Sequence, residues 1–377
     1  ATLGDAHTLA ELKAINNALS GTLTLNDVTV ALSGSSADVA AALAGTFAAG
    51  YTGTATVNDN HSLAELVAIN NGTSGNITLN SNAVALTGST SDVKAALAGN
   101  VGASYSGNIV LNDADNTSIA AADITTIESD TTGTITVSNN IRLTGNSDVI
   151  AAAVADVDTF SGTPTATLGD AHTLAELKAI NNALTGTLTL NDVTVALTGS
   201  AADIKAALAG TFAAGYTGNV TINDADTTAI AATDITAIEA ATTGTVTVSN
   251  NINLTGTSAE VAAAVADVNT FSGTPTATLS NAHTLAELKA INNALSGTLT
   301  LNDVTVALSG STADVKAALA GNFASAYTGN VTLSDNHSLS ELKAINDATT
   351  GSITLNSSAV ALSGTSSDVA AALDGFT

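Results

Sequence analysis

The chain repeats itself along its whole length, and this repetition constrains the fold more than any other feature. Residues 1–34 recur at 166–199 with two changes, both serine to threonine, and a near copy begins at Ala277. More diverged copies begin at Ala55 and near residue 331. A unit this short buries its apolar face only against its neighbours, so the copies are expected to stack in one dimension.

Two types of unit cover the sequence. Five H units place a histidine just before a helical pattern, whereas two D units begin with NDADNTSIAAADITTIESDTTG or NDADTTAIAATDITAIEAATTG. The H units are about 54 residues long and the D units about 57. The predicted units, in the order H-H-D-H-D-H-H within one continuous solenoid, are 1–53, 54–107, 108–164, 165–218, 219–275, 276–329 and the shortened 330–377.

Each H unit carries two helix-start signals. Thr8 followed by Glu11 is a capping box, and Leu9, Leu12, Ile15 and Leu19 follow at helical spacing as one apolar face. The box recurs at Ser62/Glu65, Thr173/Glu176, Thr284/Glu287 and Ser338/Glu341. The second helix is predicted to start at Ser35/Asp38, Ser89/Asp92, Ser200/Asp203, Ser311/Asp314 and Thr365/Asp368.

Strand patterns lie between the helices. Thr and apolar residues alternate over TLTL and VTVAL, the period of a strand with one buried face. The Asn-Asp between these stretches is either a corner or a two-residue hairpin turn, and the corner is favoured. Strand–helix alternation predicts parallel strands joined by right-handed crossovers. We therefore expect an α/β repeat solenoid, with about two strand–helix coils per unit, one parallel sheet and one helical layer.

Composition narrows the function. Eight basic residues against 33 acidic ones give a net charge of −25, which disfavours nucleic acid and anionic lipid as partners. The absence of cysteine excludes disulfides and thiol-ligated metals, and no apolar run is long enough to span a membrane. Near-identical repetition leaves no place for a unique catalytic constellation, so no enzyme activity, catalytic residue or organic cofactor is expected.

Acidic turns in the D units are the candidate metal site. Asp113 and Asp115, and likewise Asp224 and Asp226, place carboxylates two residues apart in a turn, a spacing that calcium sites use. Asx residues also favour turns for backbone reasons alone. Calcium is therefore a candidate ligand, set against a purely structural role.

Three other repeated features have a structural and a functional interpretation. The histidines, at positions 7, 61, 172, 283 and 337, could form a metal ladder, but a hydrogen bond at the strand-to-helix corner is favoured. The tyrosines that close H units, at 51, 105, 216 and 327, and Phe160 and Phe271 in D units, are interpreted as packing plugs rather than sugar-binding rows. T-x-T pairs recur at Thr22/Thr24, Thr134/Thr136, Thr165/Thr167, Thr187/Thr189, Thr245/Thr247 and Thr298/Thr300. Such rows suit a solvated strand face, or an ice-binding array.

The ends of the sequence lack the capping repeats that protect strand edges. We therefore expect the chain to be a stretch of something longer, or to associate end to end with other copies.

The stretches AHTLAELKAINNA and DITAIEAATTGTVTVSNNINLTGTSAEVAAAVADVNTFSGT resemble the tandem repeats of very large secreted or cell-surface proteins of marine bacteria, especially cyanobacteria. The resemblance covers the whole chain. It implies an extracellular or surface-layer location and a scaffolding or adhesive role, with no catalytic residues. The expected function is a structural repeat protein that forms a rod, filament or surface layer. The alternative is an adhesin or binding rod, either stiffened by calcium or binding ice through its threonine rows.

Overall fold

The computed structural model describes residues 1–374. The chain forms two compact units, residues 1–192 with 210–214, and residues 193–209 with 215 onward. Within each unit, parallel strands alternate with helices along the chain. This is the α/β repeat solenoid that the sequence predicts.

The helices of the described residues follow one another at a nearly constant interval. They are α1 (Leu9–Ala18), α2 (Ser36–Leu43), α3 (Leu63–Gly72), α4 (Thr90–Leu97), α5 (Ala121–Asp130), α6 (Ser147–Asp156), α7 (Leu174–Ala183), α8 (Ala201–Leu208), α9 (Ala232–Ala241), α10 (Ser258–Asp267), α11 (Leu285–Ala294), α12 (Thr312–Leu319), α13 (Leu339–Ala348) and α14 (Ser366–Leu373). The first four begin at residues 9, 36, 63 and 90, a spacing of 27 residues. An H unit is therefore two coils of equal length.

Side-chain caps fix the helix starts where the sequence predicts them. Thr8 accepts a hydrogen bond from the Glu11 N–H, and the Glu11 carboxylate accepts one from the Thr8 N–H. The other four predicted capping boxes form in the same way, at the starts of α3, α7, α11 and α13. Ser35 caps α2 through the Asp38 N–H, and its four counterparts cap α4, α8, α12 and α14. Both helix-start signals of the H unit are confirmed.

The strands are two to four residues long, and all their pairings are parallel. They are β1 (Leu32–Gly34), β2 (Ala55–Val57), β3 (Ile77–Thr78), β4 (Leu86–Gly88), β5 (Ile109–Leu111), β6 (Ser118–Ala120), β7 (Ile135–Val137), β8 (Arg142–Gly145), β9 (Thr159–Phe160), β10 (Thr165–Leu168), β11 (Leu188–Thr189), β12 (Leu197–Gly199), β13 (Val220–Ile222), β14 (Ala229–Ala231), β15 (Val246–Val248), β16 (Asn253–Gly256), β17 (Thr270–Phe271), β18 (Thr276–Leu279), β19 (Thr298–Thr300), β20 (Leu308–Gly310), β21 (Asn322–Phe323), β22 (Val331–Leu333) and β23 (Ile353–Thr354). Parallel pairing confirms that the Asn-Asp turns are corners and not hairpins. The predicted strand VTVAL is wrong in position, since β1 begins only at its last residue, Leu32.

The prediction of a single sheet is also wrong, because the described strands form six sheets of three to five strands. The first unit holds β1-β2-β3, β4-β5-β7-β9 and β11-β10-β8-β6; the second holds β12-β13-β15-β17, β14-β16-β18-β19-β21 and β20-β22-β23. The reason is a difference in period. Leu32 pairs with Ala55 and Ala55 with Ile77, steps of 23 and 22 residues, whereas the helices recur every 27. Successive strands of one sheet therefore lie progressively farther ahead of the helix that follows them. A sheet begins with a strand just before a helix and ends with a strand just after a helix, and a new sheet begins before the next helix.

Small aliphatic side chains form the core. Leu12 is fully buried, as are its counterparts Leu66, Leu177, Leu288 and Leu342. The predicted apolar face of α1 is only partly correct, because Leu19 lies beyond the end of α1 and is 41% exposed. Its counterparts Leu184 and Leu295 are only 3% and 7% exposed, since a preceding coil lies beside them.

Candidate functional site

The D-unit aspartates cap helices of the preceding coil. Asp113 is 8% exposed, and its Oδ2 accepts hydrogen bonds from Thr90 N at 2.9 Å and Thr90 Oγ1 at 2.6 Å, at the first residue of α4. Asp224 accepts one from Ala201 N at 2.7 Å, at the first residue of α8. A carboxylate at this position satisfies a free N–H and interacts favourably with the positive end of the helix dipole.

This cap is a general device of the fold and not special to D units. The same contact, always from a residue 23 positions later in the chain, is made by Asp59, Asp170, Asn281 and Asp335. At one of these sites an asparagine makes the contact, so a negative charge is not required. In the sequence, Asp113 and Asp224 are identified as calcium candidates or turn formers and the other four are not singled out; the feature that all six share is the offset of 23 residues from a helix start.

The second aspartate of each D turn serves a different segment. Asp115 Oδ1 accepts a hydrogen bond from Asn140 N at 2.9 Å, and Asp226 Oδ1 accepts one from Asn251 N at 2.9 Å. The next residues, Asn116 and Thr227, have left-handed backbones with φ of 63° and 65°. The turn is thus held to the following coil by its own side chain.

The two carboxylates of a calcium candidate pair therefore bind different backbone segments. Among residues 1–374, no three or more His, Cys, Asp or Glu side chains are grouped closely enough to hold a metal ion. Calcium binding at Asp113, Asp115, Asp224 and Asp226 stays a prediction, and the contacts seen for these residues are structural.

Histidine and tyrosine form a buried pair across coils. His7 Nε2 lies 3.0 Å from Tyr51 Oη, and Tyr51 Oη donates to Val30 O at 2.7 Å. His61 with Tyr105, and His283 with Tyr327, repeat the arrangement at 3.0 Å and 3.1 Å. Each pair is 44 residues apart in sequence. The hydrogen-bonding interpretation of these histidines and the plug interpretation of these tyrosines are both confirmed.

Burial governs the titration of these pairs. It lowers the pKa of His7, His61, His172 and His283 below the ordinary value. It also raises the pKa of Tyr51 and Tyr105 to about 12. Both rings are therefore neutral near pH 7. The constant 44-residue offset between the histidines and the H-unit tyrosines is visible in the sequence, but any two positions of a repeat share such an offset, so only the structure shows that these two residues touch.

Threonines form ranks on the outer faces of the sheets. Thr144, Thr167 and Thr189 are paired in register on neighbouring strands, as are Thr255, Thr278 and Thr300 in the other unit. A four-residue rank joins Thr198, Thr221, Thr247 and Thr270. The flanking residues of these strands point into the core, so the threonine ranks face outward. Of the six predicted T-x-T pairs, four contribute one threonine each to these ranks, namely Thr167, Thr189, Thr247 and Thr300, and each rank is only three to four strands wide.

Helix surfaces carry ion pairs and shallow grooves. Lys13 pairs with Asp38, and Lys94 Nζ lies 2.5 Å from Asp123 Oδ1. A groove of about 570 Å³ between α3 and α4 is lined mainly by Leu63, Val67 and Asp92, and similar grooves of about 400 and 480 Å³ lie at the matching places in the first and last H units. Each lining includes one aspartate, and two of the three also include a lysine.

Comparisons with known proteins do not assign the chain to a family. No protein-family model matches the chain, and no curated protein has a significantly similar sequence. Within residues 1–374, no helix combines the length and the apolar character that crossing a bilayer requires.

Proposed function

We propose that this protein is an extracellular structural repeat protein that builds a rod, filament or surface layer by stacking its units, and that it is not an enzyme. The observation that supports this most is the interchangeability of junctions. In the first compact unit, α2 packs on α3 where one H repeat meets another. There α4 also packs on α5 where an H repeat meets a D repeat, and α6 packs on α7 where a D repeat meets an H repeat. The same three kinds of junction recur in the second compact unit where, named in the order just given, α12 packs on α13, α8 on α9 and α10 on α11. Because H and D repeats can follow one another in different orders with the same kinds of helix contact, further repeats can be added to such a fold.

Burial supports the same proposal. Leu19 is 41% exposed, whereas the same leucine in later units is nearly buried. Leu373, on α14, is 43% exposed, whereas its counterparts Leu43 and Leu319 are 3% exposed. A coil therefore completes its core only against a further coil, as nearest-neighbour stabilisation requires. The partner that this chemistry implies is another copy of the repeat.

The secreted or cell-surface location rests on the resemblance to tandem repeats of marine bacterial proteins. The strongly acidic composition is compatible with it, because a net charge of −25 keeps a surface soluble in salt water. Immunogold labelling of the source cells tests this part of the proposal. Label confined to the cell interior would refute it.

Deleting one whole unit tests the modular structure. Removal of residues 54–107 joins the first H unit directly to a D unit, a junction type already present in the chain. We expect the shortened protein to keep its circular dichroism per residue and to unfold cooperatively. Removal of residues 54–80 is the matched control, since it places two second halves of H units in succession, an order that the sequence does not contain, and should lower the unfolding temperature markedly. Equal loss of structure in both proteins would contradict a modular solenoid.

The threonine ranks favour one alternative function, a binding rod that contacts ice. Rows such as Thr144, Thr167 and Thr189 present hydroxyl and methyl groups at the spacing of neighbouring strands, about 4.8 Å. A thermal hysteresis assay with the purified chain tests this alternative. The substitution Thr167→Lys should abolish any activity found, whereas wild-type protein without activity would eliminate the ice-binding hypothesis.

A calcium-stiffened adhesin is the other form of the alternative. Its signature would be a large fall in unfolding temperature when a chelator is added. No change with chelator would leave the purely structural interpretation of the D-unit aspartates.

A further inference from the structure

The buried histidines carry a feature that structural stacking does not require. In the described chain, the Nδ1 atoms of His7, His61, His283 and His337 are inaccessible to solvent and have no hydrogen-bond partner. The first three rings have their Nε2 atoms on tyrosine hydroxyls. One nitrogen of each of these three rings is therefore satisfied and the other is buried with nothing to bind.

The hydrogen-bond geometry defines which nitrogen carries the proton. The Tyr51 hydroxyl has one proton, and it is donated to the carbonyl oxygen of Val30 at 2.7 Å. The same hydroxyl must then accept from His7, so Nε2 carries the ring proton and Nδ1 holds only a lone pair. His61–Tyr105–Val84 and His283–Tyr327–Val306 have the same arrangement.

We propose that these histidine–tyrosine–carbonyl contacts are acid-sensitive latches, which open the H units selectively in mildly acidic solution and leave the D units closed. A proton from solvent would add to the Nδ1 lone pair. It would create a buried N–H without an acceptor and a positive charge among apolar side chains, both of which destabilise the closed state. The imidazolium gains water only when the coil opens.

Charges around each ring oppose this effect only in part. Nearby carboxylates favour the cation, yet burial outweighs them and keeps the pKa of the four affected histidines below the ordinary value. The carboxylates that face each ring are Asp27 and Glu11 for His7, Glu65 and Asp59 for His61, Glu176, Asp192 and Asp170 for His172, and Asp303 and Glu287 for His283.

The sign of the pH effect follows from this lowering. The open state binds protons at the ordinary pKa of about 6.5, and the closed state binds them only at lower pH. The closed H units of His7, His61, His172 and His283 are thus fully stable above about pH 6.5 and lose stability as the pH falls below it. At one pH unit below the ordinary value, the opening equilibrium rises by up to about tenfold per histidine.

The chain contains its own control, because the D units have no histidine. Hydrogen exchange of the full chain, followed by mass spectrometry at pH 7.5 and 5.5 and corrected for intrinsic rates, compares both unit types in one sample. We expect opening of peptides from 54–107 to rise by up to about tenfold, with no change in D-unit peptides from 121–145. An equal change in both, or no change in either, would overturn the proposal.

The variant His61→Gln separates titration from packing. The glutamine amide can still donate to Tyr105 but cannot take up a proton. We expect peptides from 54–107 to lose their pH response, while those of the H units that contain His7 and His283 keep it. A persisting response in the variant would contradict the latch.

If His61→Gln loses local protection already at pH 7.5, nitrogen-15 NMR of the wild-type imidazoles decides. Neutral rings with the proton on Nε2 at pH 6 support the proposal, and imidazolium at pH 6 refutes it.

Discussion

The substitution Gly53→Ala should be among the most damaging single-methyl additions in this chain. A Cβ built on Gly53 lies 2.0 Å from Val30 O, 2.9 Å from Val30 C and 2.8 Å from Tyr51 Cε1. The first two atoms belong to the backbone of the neighbouring coil, so the clash is not relieved by rotating a side chain. Val30 O is also the acceptor of the Tyr51 hydroxyl, so moving it disturbs the buried histidine–tyrosine pair.

The magnitude follows from these two contributions. Overpacking a close-packed site costs about 1–3 kcal/mol or more, and loss of a buried hydrogen bond adds about 1 kcal/mol. We expect Gly53→Ala to destabilise its coil by about 2–4 kcal/mol. Gly50, three residues earlier, has no atom within 4 Å of the place that an added methyl group would occupy and no left-handed backbone, so Gly50→Ala is the matched control. It should change stability by about 0.5 kcal/mol or less, or stabilise slightly by restricting the unfolded chain.

Hydrogen exchange of peptides from 28–57 is the suitable assay, because repeat proteins open locally and a global transition would average the effect. A cost of about 3 kcal/mol corresponds to an opening equilibrium more than about 100-fold larger in Gly53→Ala than in Gly50→Ala. Two variants with exchange rates within a factor of about two would refute the close backbone approach.

Two further perturbations test the caps. Asp113→Ala should destabilise the start of α4 by about 1–2 kcal/mol, measured as faster exchange of the α4 amides, whereas Asp113→Asn should be nearly neutral because Asn281 makes the same contact at α10. Equal costs for both variants would contradict a cap that needs no charge. Hydrogen bonds in the capping boxes lower the pKa of Glu11 and Glu65. The stability that these carboxylates give is therefore present above about pH 4.5 and is lost as the pH falls further. Urea titrations at a series of pH values should show this loss of unfolding free energy at a lower pH than the loss caused by the histidines.

Local signals predict the helices well. A capping box needs only residues three positions apart, so Thr8 with Glu11 is sufficient to place the start of α1, and the same holds in each H unit. The strands are harder to predict. VTVAL has the right alternation, but the strand begins at Leu32 because pairing to Ala55 in the next coil, and not local propensity, determines where the ladder forms.

The cross-coil contacts are the least accessible to sequence reasoning. Asp113 is a calcium candidate in the sequence because turn chemistry and metal chemistry use the same residues; its partner, Thr90, lies 23 positions earlier in another coil. The pairing of His61 with Tyr105 depends on how two coils are offset in space. Constant spacing across repeats does not reveal these contacts, because every pair of repeat positions keeps a constant spacing.

Electron microscopy of the purified chain over a concentration series tests the central proposal most directly, that the repeats serve to build an extended structure by stacking. The proposal predicts thin rods that lengthen end to end as concentration rises, and shorten again when Leu19 and Leu373 are both replaced by lysine. Compact particles of a single size at every concentration, unaffected by these substitutions, would contradict it.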